Sequence, residues 1–245
     1  MRASLWQSLW TLSTISLLWT LSTRLCEVPG GEERTAGRPH PSDQPRRQGP
    51  RPRGAVRAAL IEAGVELARS GGPEAVVLRE VTRMVGVVPN TAYRHFADRD
   101  ALLAAVRDEA VKELARRMED GMNQVRAGAH TPTGARLRLR AVGQAYLDFA
   151  RTEPGLFDTA FAVADHPTGG ARDEPQPLEH LQAALDDLVQ AGVLEPARRP
   201  NIEYPTWATV HGLAVLLRGP LGTLSDREKT RLETQTLAFI GASVS

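Results

Sequence analysis

Between Val85 and Phe96 the chain reads VGVVPNTAYRHF. Asn90, Thr91, Tyr93, Arg94 and His95 crowd hydrogen-bonding side chains into about two helical turns. Among these side chains Ala92 and Phe96 are apolar, at four-residue spacing. Donors and acceptors on one short rod, with no carboxylate pair and no nucleophile beside a base, suit recognition of a polar surface rather than catalysis.

The elements around this stretch explain how it would be held. Val56, Leu60, Ile61, Gly64, Val65 and Ala68 recur at three- and four-residue spacing, which predicts a first helix stopped by Gly71-Gly72-Pro73. A second helix is predicted over about 77 to 85, with Val77, Val81 and Val85 inward. Gly86 permits a tight turn, and Pro89 suits the first turn of a third helix over 89 to 95. Asp98 can cap a fourth, carried by Leu103, Val106, Ala110, Leu114 and Met118. Two short helices joined by a glycine turn, the second polar, describe a helix-turn-helix. Its polar helix is suited to the major groove of double-stranded DNA, where base edges present donors and acceptors.

On these residues the segment 54–103 resembles the DNA-binding domain of the TetR (tetracycline repressor) family. The resemblance rests on Gly86-Val87, on Thr91-Ala92-Tyr93-Arg94-His95-Phe96, and on Arg99 followed by Leu102-Leu103. It implies that Thr91 and Tyr93 hold phosphates and that Arg99 holds the DNA backbone at the start of the fourth helix. It also implies that Val88, Pro89, Asn90, Arg94 and His95 touch bases or phosphates. Arg79, at the start of the second helix, is a further candidate for phosphate. The chain departs from the family pattern at Val88, where a hydroxyl often caps the recognition helix, and at Val77 and Leu78, where another is common. A lost cap hydroxyl costs on the order of 1 kcal/mol. Thr82 stands where a small alanine often packs.

Beyond the fourth helix, amphipathic segments are predicted at about 133–151, 154–163, 178–192, 203–218 and 226–241, with a break at Glu153-Pro154-Gly155. The stretch WATVHGLAVLL (207–217) resembles the Trp-His-Gly type of TetR C-terminal domain through Trp207, His211 and Gly212. The resemblance implies an all-α fold: an N-terminal three-helix helix-turn-helix domain, then a helical effector-binding and dimerisation domain over 104–245. It implies a homodimer built from the last two long helices, with Ala208, Gly212 and Val215 as one stripe and Leu232, Thr236, Phe239 and Ile240 as another. It implies a pocket for an unknown small-molecule effector, with Tyr146, Phe149, Phe157, Phe161, His166, Trp207 and His211 as candidate lining. The functional expectation is a DNA-binding regulator, a ligand-released repressor on a palindromic operator.

Composition bounds the remaining classes. The 245 residues are 42% hydrophobic and 24% charged, with a net charge of +1. Lys112 and Lys229 are the only lysines among 30 basic residues, a bias that a GC-rich coding sequence produces. Cys26 is the only cysteine, so a disulfide framework within the chain is excluded and a reducing, cytoplasmic setting is expected. The histidines at 40, 95, 130, 166, 180 and 211 never adopt a metal-ligand spacing, and Asp165-His166 with Asp173 and Glu174 reads as a surface loop. There is no glycine-rich phosphate loop and no Gly-x-Ser-x-Gly. No enzyme activity, metal or cofactor is expected.

Residues 1–53 read differently. WTLST occurs at 10–14 and again at 19–23, and Ala3 to Thr23 carry no charge. Ser, Thr and Gln interrupt that run, and Arg24 beside Cys26 spoils an export signal. Residues 27–53 are rich in Pro, Gly and charge, including Arg34, Arg38, Arg46, Arg47, Arg51 and Arg53. The expectation is a disordered or misannotated extension, with no membrane partner. The competing class is a helical membrane-associated or scaffold protein anchored by residues 1–25.

Overall fold

The helical periodicity that begins at Gly54 is realised as helices among the described residues. The computed structural model describes residues 53–162 and 176–244, and among them the ordered elements are α-helices with one short 3₁₀ turn. The Trp-rich repeat, Cys26, the arginines at 34–51 and the loop residues Asp165, His166, Asp173 and Glu174 lie outside the described residues. The helices are α1 (Arg53–Ala75), α2 (Leu78–Val85), α3 (Pro89–Tyr93), α4 (Arg99–Asn123), α5 (Pro132–Thr152), α6 (Pro154–Phe161), α7 (Pro177–Gln190), α8 (Glu203–Arg218) and α9 (Asp226–Ser243).

Gly72 breaks α1 as its sequence suggests, at φ 68°, but one further turn follows through Pro73 to Ala75. The second break is sharper. Gly86 sits at φ 74°, ψ 33°, and its N–H and that of Val87 both donate to the Thr82 carbonyl, at 3.0 and 3.1 Å. A side chain at this left-handed position would be strained. Thr82 is buried and satisfies its hydroxyl by donating to the Arg79 carbonyl at 2.8 Å. A threonine therefore fits the place of a small residue without leaving an orphan polar group.

Three expectations are corrected. Val77 does not face inward: it is 42% exposed, because it is the extended residue preceding α2 rather than part of its apolar face. The regular helix of α3 ends at Tyr93, not His95; Arg94 and His95 form a looser turn whose N–H groups donate to Thr91 and Ala92. Along α4 the buried leucine near the start is Leu102, with Leu103 half-buried. The four-residue series Leu102, Val106, Ala110, Leu114, Met118 and Met122 is the face that meets the core. Asp98 caps this helix by accepting from the Ala101 N–H at 2.7 Å.

α4 is the spine. Its 25 residues span roughly 37 Å. It packs on α1 near its start and on α5, α6 and α7 further along. α5 then contacts α7, α8 and α9, and Arg138 of α5 donates to the nearly buried Asp187 of α7 at 2.7 Å. On α9, Ile240 belongs to the core, while Phe239 points outward at 64% exposure. The stripe expected from 232, 236, 239 and 240 is thus two faces of one helix, and only Phe239 lies on the outer one fully exposed.

Candidate nucleic-acid interface and enclosed cavity

The third helix is fastened from behind. Ala92 and Phe96 are buried, and the Arg57 guanidinium lies over the Phe96 ring at 5.2 Å. With that face pinned, Val88, Pro89, Asn90, Tyr93 and Arg94 stand exposed, and Thr91 and His95 are half-buried at the edges. Tyr93 is 56% exposed, far more than a packing aromatic requires. Val88 offers no capping bond to α3 and presents a bare apolar side chain at 66% exposure. Arg79 is exposed on α2.

Arg99 is placed differently. Its guanidinium donates to the Val76 carbonyl at 2.9 Å and the Pro73 carbonyl at 2.6 Å, with Glu74 at 3.5 Å. It ties the turn between α1 and α2 to the start of α4 through these two backbone bonds. These bonds help hold the frame that carries α3.

A cavity of about 350 Å³ lies between α4, α5, α7, α8 and α9. Of the aromatic candidates, Tyr146 and Trp207 line it. Phe157, Phe161 and His211 stand against those two as a wall. Ring centroids are 5.8 Å apart for Tyr146–Phe157, 4.9 Å for Phe157–Phe161, 4.9 Å for Phe161–His211 and 6.3 Å for Phe161–Trp207. Phe149 is separate, fully buried beneath the Arg117 guanidinium at 5.2 Å. His166 lies outside the described residues.

The wall closes its own hydrogen bonds. Trp207 Nε1–H donates to the Tyr146 hydroxyl at 3.3 Å, and the Tyr146 oxygen lies 2.7 Å from His211 Nδ1. A neutral imidazole can take the hydroxyl's proton at Nδ1 while the hydroxyl accepts from the indole, an arrangement closed to the imidazolium, which only donates. Burial points the same way: it pushes the Tyr146 phenol well up and the His211 imidazole down from 6.5. The unfolded chain takes up a proton at residue 211 as pH falls through about 6.5, and the folded chain resists it. The stabilisation is therefore complete above that pH and erodes below it. Melting temperature is expected to fall more steeply on acidification for the natural chain than for His211→Gln; parallel curves would remove this role.

α1 and α4 meet at the break between α5 and α6. Glu153 accepts from Arg69 of α1 at 2.9 Å and from Arg117 of α4 at 3.1 Å, and Arg117 also donates to the Thr152 hydroxyl at 3.0 Å. Beside it, a Cβ at Gly155 would come within 2.1 Å of the Ala68 carbonyl oxygen and 2.7 Å of that of Arg69. α6 therefore rests directly on the backbone of α1, and α6 carries Phe157 and Phe161 of the wall.

Sequence reading did not single out this joint, nor the aliphatic lining and rim arginines of the cavity. Leu139, Val142, Leu181 and Leu188 at helical spacing look the same whether they face a neighbour or a void. Proximity of Glu153 to Arg69 spans 84 positions and leaves no local signal. Among the described residues no group of His, Cys, Asp and Glu is arranged to hold a metal, and no helix is long and apolar enough to cross a membrane.

No curated protein matches the sequence. Solved structures match the fold. A protein of unknown function from Rhodococcus sp. RHA1 superposes with a TM-score of 0.60 at 23% identity, covering 82% of this chain and 99% of that one. The transcriptional regulator FadR from Bacillus subtilis, solved in complex with stearoyl-CoA, gives 0.56 at 15% identity, over 77% and 99% of the two chains. A tetR-family transcriptional regulator from Streptomyces coelicolor gives 0.53 at 23%, over 77% and 80%. At these identities the likeness concerns fold alone. The family models reach further. Residues 60–106, which hold the pinned recognition helix, match the model for bacterial regulatory proteins of the tetR family. Residues 139–237, which hold the aromatic wall, match that for the tetracyclin repressor-like C-terminal domain. Together they span more than half of the chain, which belongs to the TetR family of transcriptional regulators.

Proposed function

We infer that this regulator is a ligand-released repressor that binds a palindromic operator as a homodimer. The observation that carries the reading is the outward face of α3 and its closing turn: Asn90 and Tyr93 are exposed on a helix whose opposite side is buried, and Arg94 is exposed in the turn that follows. A helix pinned in this way can enter the major groove without reorganising. Thr91, His95 and Arg79 border that face and are assigned to phosphates, with Val88 and Pro89 at its leading end.

Two copies are needed to read a palindrome, because a symmetric operator mirrors a two-fold protein. The surface for pairing is offered by α8 and α9. Tyr204, Val215, Leu216 and Phe239 are each about half exposed or more, and a Cβ at Gly212 would meet nothing within 4 Å among the described residues. Exposed apolar side chains beside open backbone suit a close helix-to-helix contact with a second copy.

The cavity would bind the effector in the cytoplasm, with no cofactor or membrane partner required. Release follows if the effector binds better to a conformation in which α3 is misplaced for DNA. The route for that coupling is α4, which spans both regions, together with the α1–α6 joint. Selection of random DNA duplexes by the purified full chain tests the reading. Two inverted half-sites with centres about one helical turn apart, or a multiple of it, are expected. No sequence enrichment, or enrichment of a single half-site by a monomer, would overturn it.

A further inference from the structure

The cavity's polar groups are unevenly placed, and this indicates what it takes. Inside, every side-chain donor is already spent. Trp207 donates to Tyr146, and the Tyr146 hydroxyl faces His211. The Thr206 hydroxyl donates to the Ile202 carbonyl at 2.7 Å. The floor is Met118, Leu139, Val142, Leu181 and Leu188, all buried. A ligand's polar atom placed here would lose its water and find no free side-chain partner.

The rim is the opposite. Arg136 and Arg140 line the cavity one turn apart on α5, and both are exposed. The third arginine of that stretch, Arg138, is bound to Asp187. No ion pair to a carboxylate engages Arg136 or Arg140 among the described residues; the nearest bond is a long one, 3.5 Å, from Arg136 to the Pro132 carbonyl. Two guanidinium groups without a carboxylate partner among the described residues, at the mouth of a mostly apolar cavity, favour an anion at the entrance and a hydrocarbon body within.

We propose that the ligand is an amphipathic organic anion whose unbranched or weakly branched apolar body fills the cavity, while its charged head rests on Arg136 and Arg140. This rests on the reading of the cavity as the effector site, and it adds the effector's chemical class. The anion can be a free carboxylate or the phosphates of a larger acyl carrier, and the test separates the two.

Full-length protein without DNA is titrated calorimetrically with decanoate, decanol and the coenzyme A thioester of decanoic acid. Decanoate or the thioester is expected to bind at one site per chain, at least roughly tenfold more tightly than decanol. Arg136→Ala combined with Arg140→Ala is expected to abolish that advantage and leave decanol unchanged. Both positions are exposed, and an unchanged melting curve verifies the fold. Whichever anion binds more tightly names the source. Equal affinity for decanol and decanoate, no effect of the double substitution, or no binding by any probe would each overturn the proposal. Operator binding by the ligand-free protein is measured separately, so a failure of the ligand class is distinguishable from a failure of the repressor reading. If the class is right but release is wrong, decanoate binds and the operator complex persists.

Discussion

Gly155→Ala is expected to destabilise the chain by about 1–3 kcal/mol and to lower its melting temperature by roughly 2–4 °C for each of those kcal/mol. The added methyl carbon would lie 2.1 Å from one backbone oxygen of α1 and 2.7 Å from the next. Neither oxygen belongs to a flexible side chain, so relief requires α6 and α1 to move apart. Separation stretches the bond between Arg69 and Glu153 and loosens the tie of Arg117 to the same carboxylate. Gly54→Ala is the control, because its Cβ meets nothing within 4 Å. The functional consequence is larger than the stability loss. The wall that borders the cavity includes Phe157 and Phe161 of α6, and α1 frames the recognition helix through Arg57 over Phe96. A displaced α6 is expected to leave ligand binding measurable while weakening the ligand's effect on DNA affinity at least severalfold. Coupling is a free energy shared between two sites, and it survives only while one element touches both. Thermal melts, with DNA titrations in the presence and absence of ligand, check both parts. A Gly155→Ala protein with the natural melting temperature and an intact DNA response would show that the joint neither supports the fold nor carries the signal.

The sequence and the structure agree most where the chain is local. The turn at Gly86, the cap at Asp98, the break at Glu153-Pro154-Gly155 and the inward pair Ala92 and Phe96 are all written within a few positions of where they act. Local signals also mislead at element edges. Val77 matches an apolar face by spacing but lies just outside the helix, where spacing no longer dictates direction. Ile240 and Phe239 are neighbours in sequence, and the rotation of about 100° per helical residue carries one into the core and the other to the surface. The cavity was the hardest feature to read. Aromatic type drew attention to Tyr146, Phe157, Phe161, Trp207 and His211, and the structure does bring those five together. Only two of them reach the void, because a void is defined by what four or five helices leave unfilled. The rim arginines are hidden by abundance: among so many arginines, the ion pair of Arg138 to Asp187, and the lack of one at Arg136 and Arg140 among the described residues, distinguish one from another.

Arg94→Ala and Tyr93→Ala should each weaken operator binding by about 1–3 kcal/mol, or roughly 5- to 150-fold. Both side chains are exposed and lie beyond the buried pair that holds α3, so neither is needed for packing. Exposed substitutions of this kind usually change stability by less than about 0.5 kcal/mol, and melting curves should stay close to that of the natural chain. The salt dependence separates their roles. A side chain that neutralises one phosphate contributes about 0.9 to the slope of log affinity against log salt. Arg94→Ala should reduce the slope by about that amount if the guanidinium meets the backbone. If it reads a base edge, the slope changes little and discrimination at one operator position relaxes instead. Tyr93 is uncharged, so its loss should lower affinity for every sequence with the slope retained. Phe96→Ala makes the contrast, because it removes the support instead of the contact: the fold should weaken together with DNA binding. Full sequence-specific binding by both the Tyr93 and Arg94 variants would mean that the exposed face of α3 is not the surface that meets DNA.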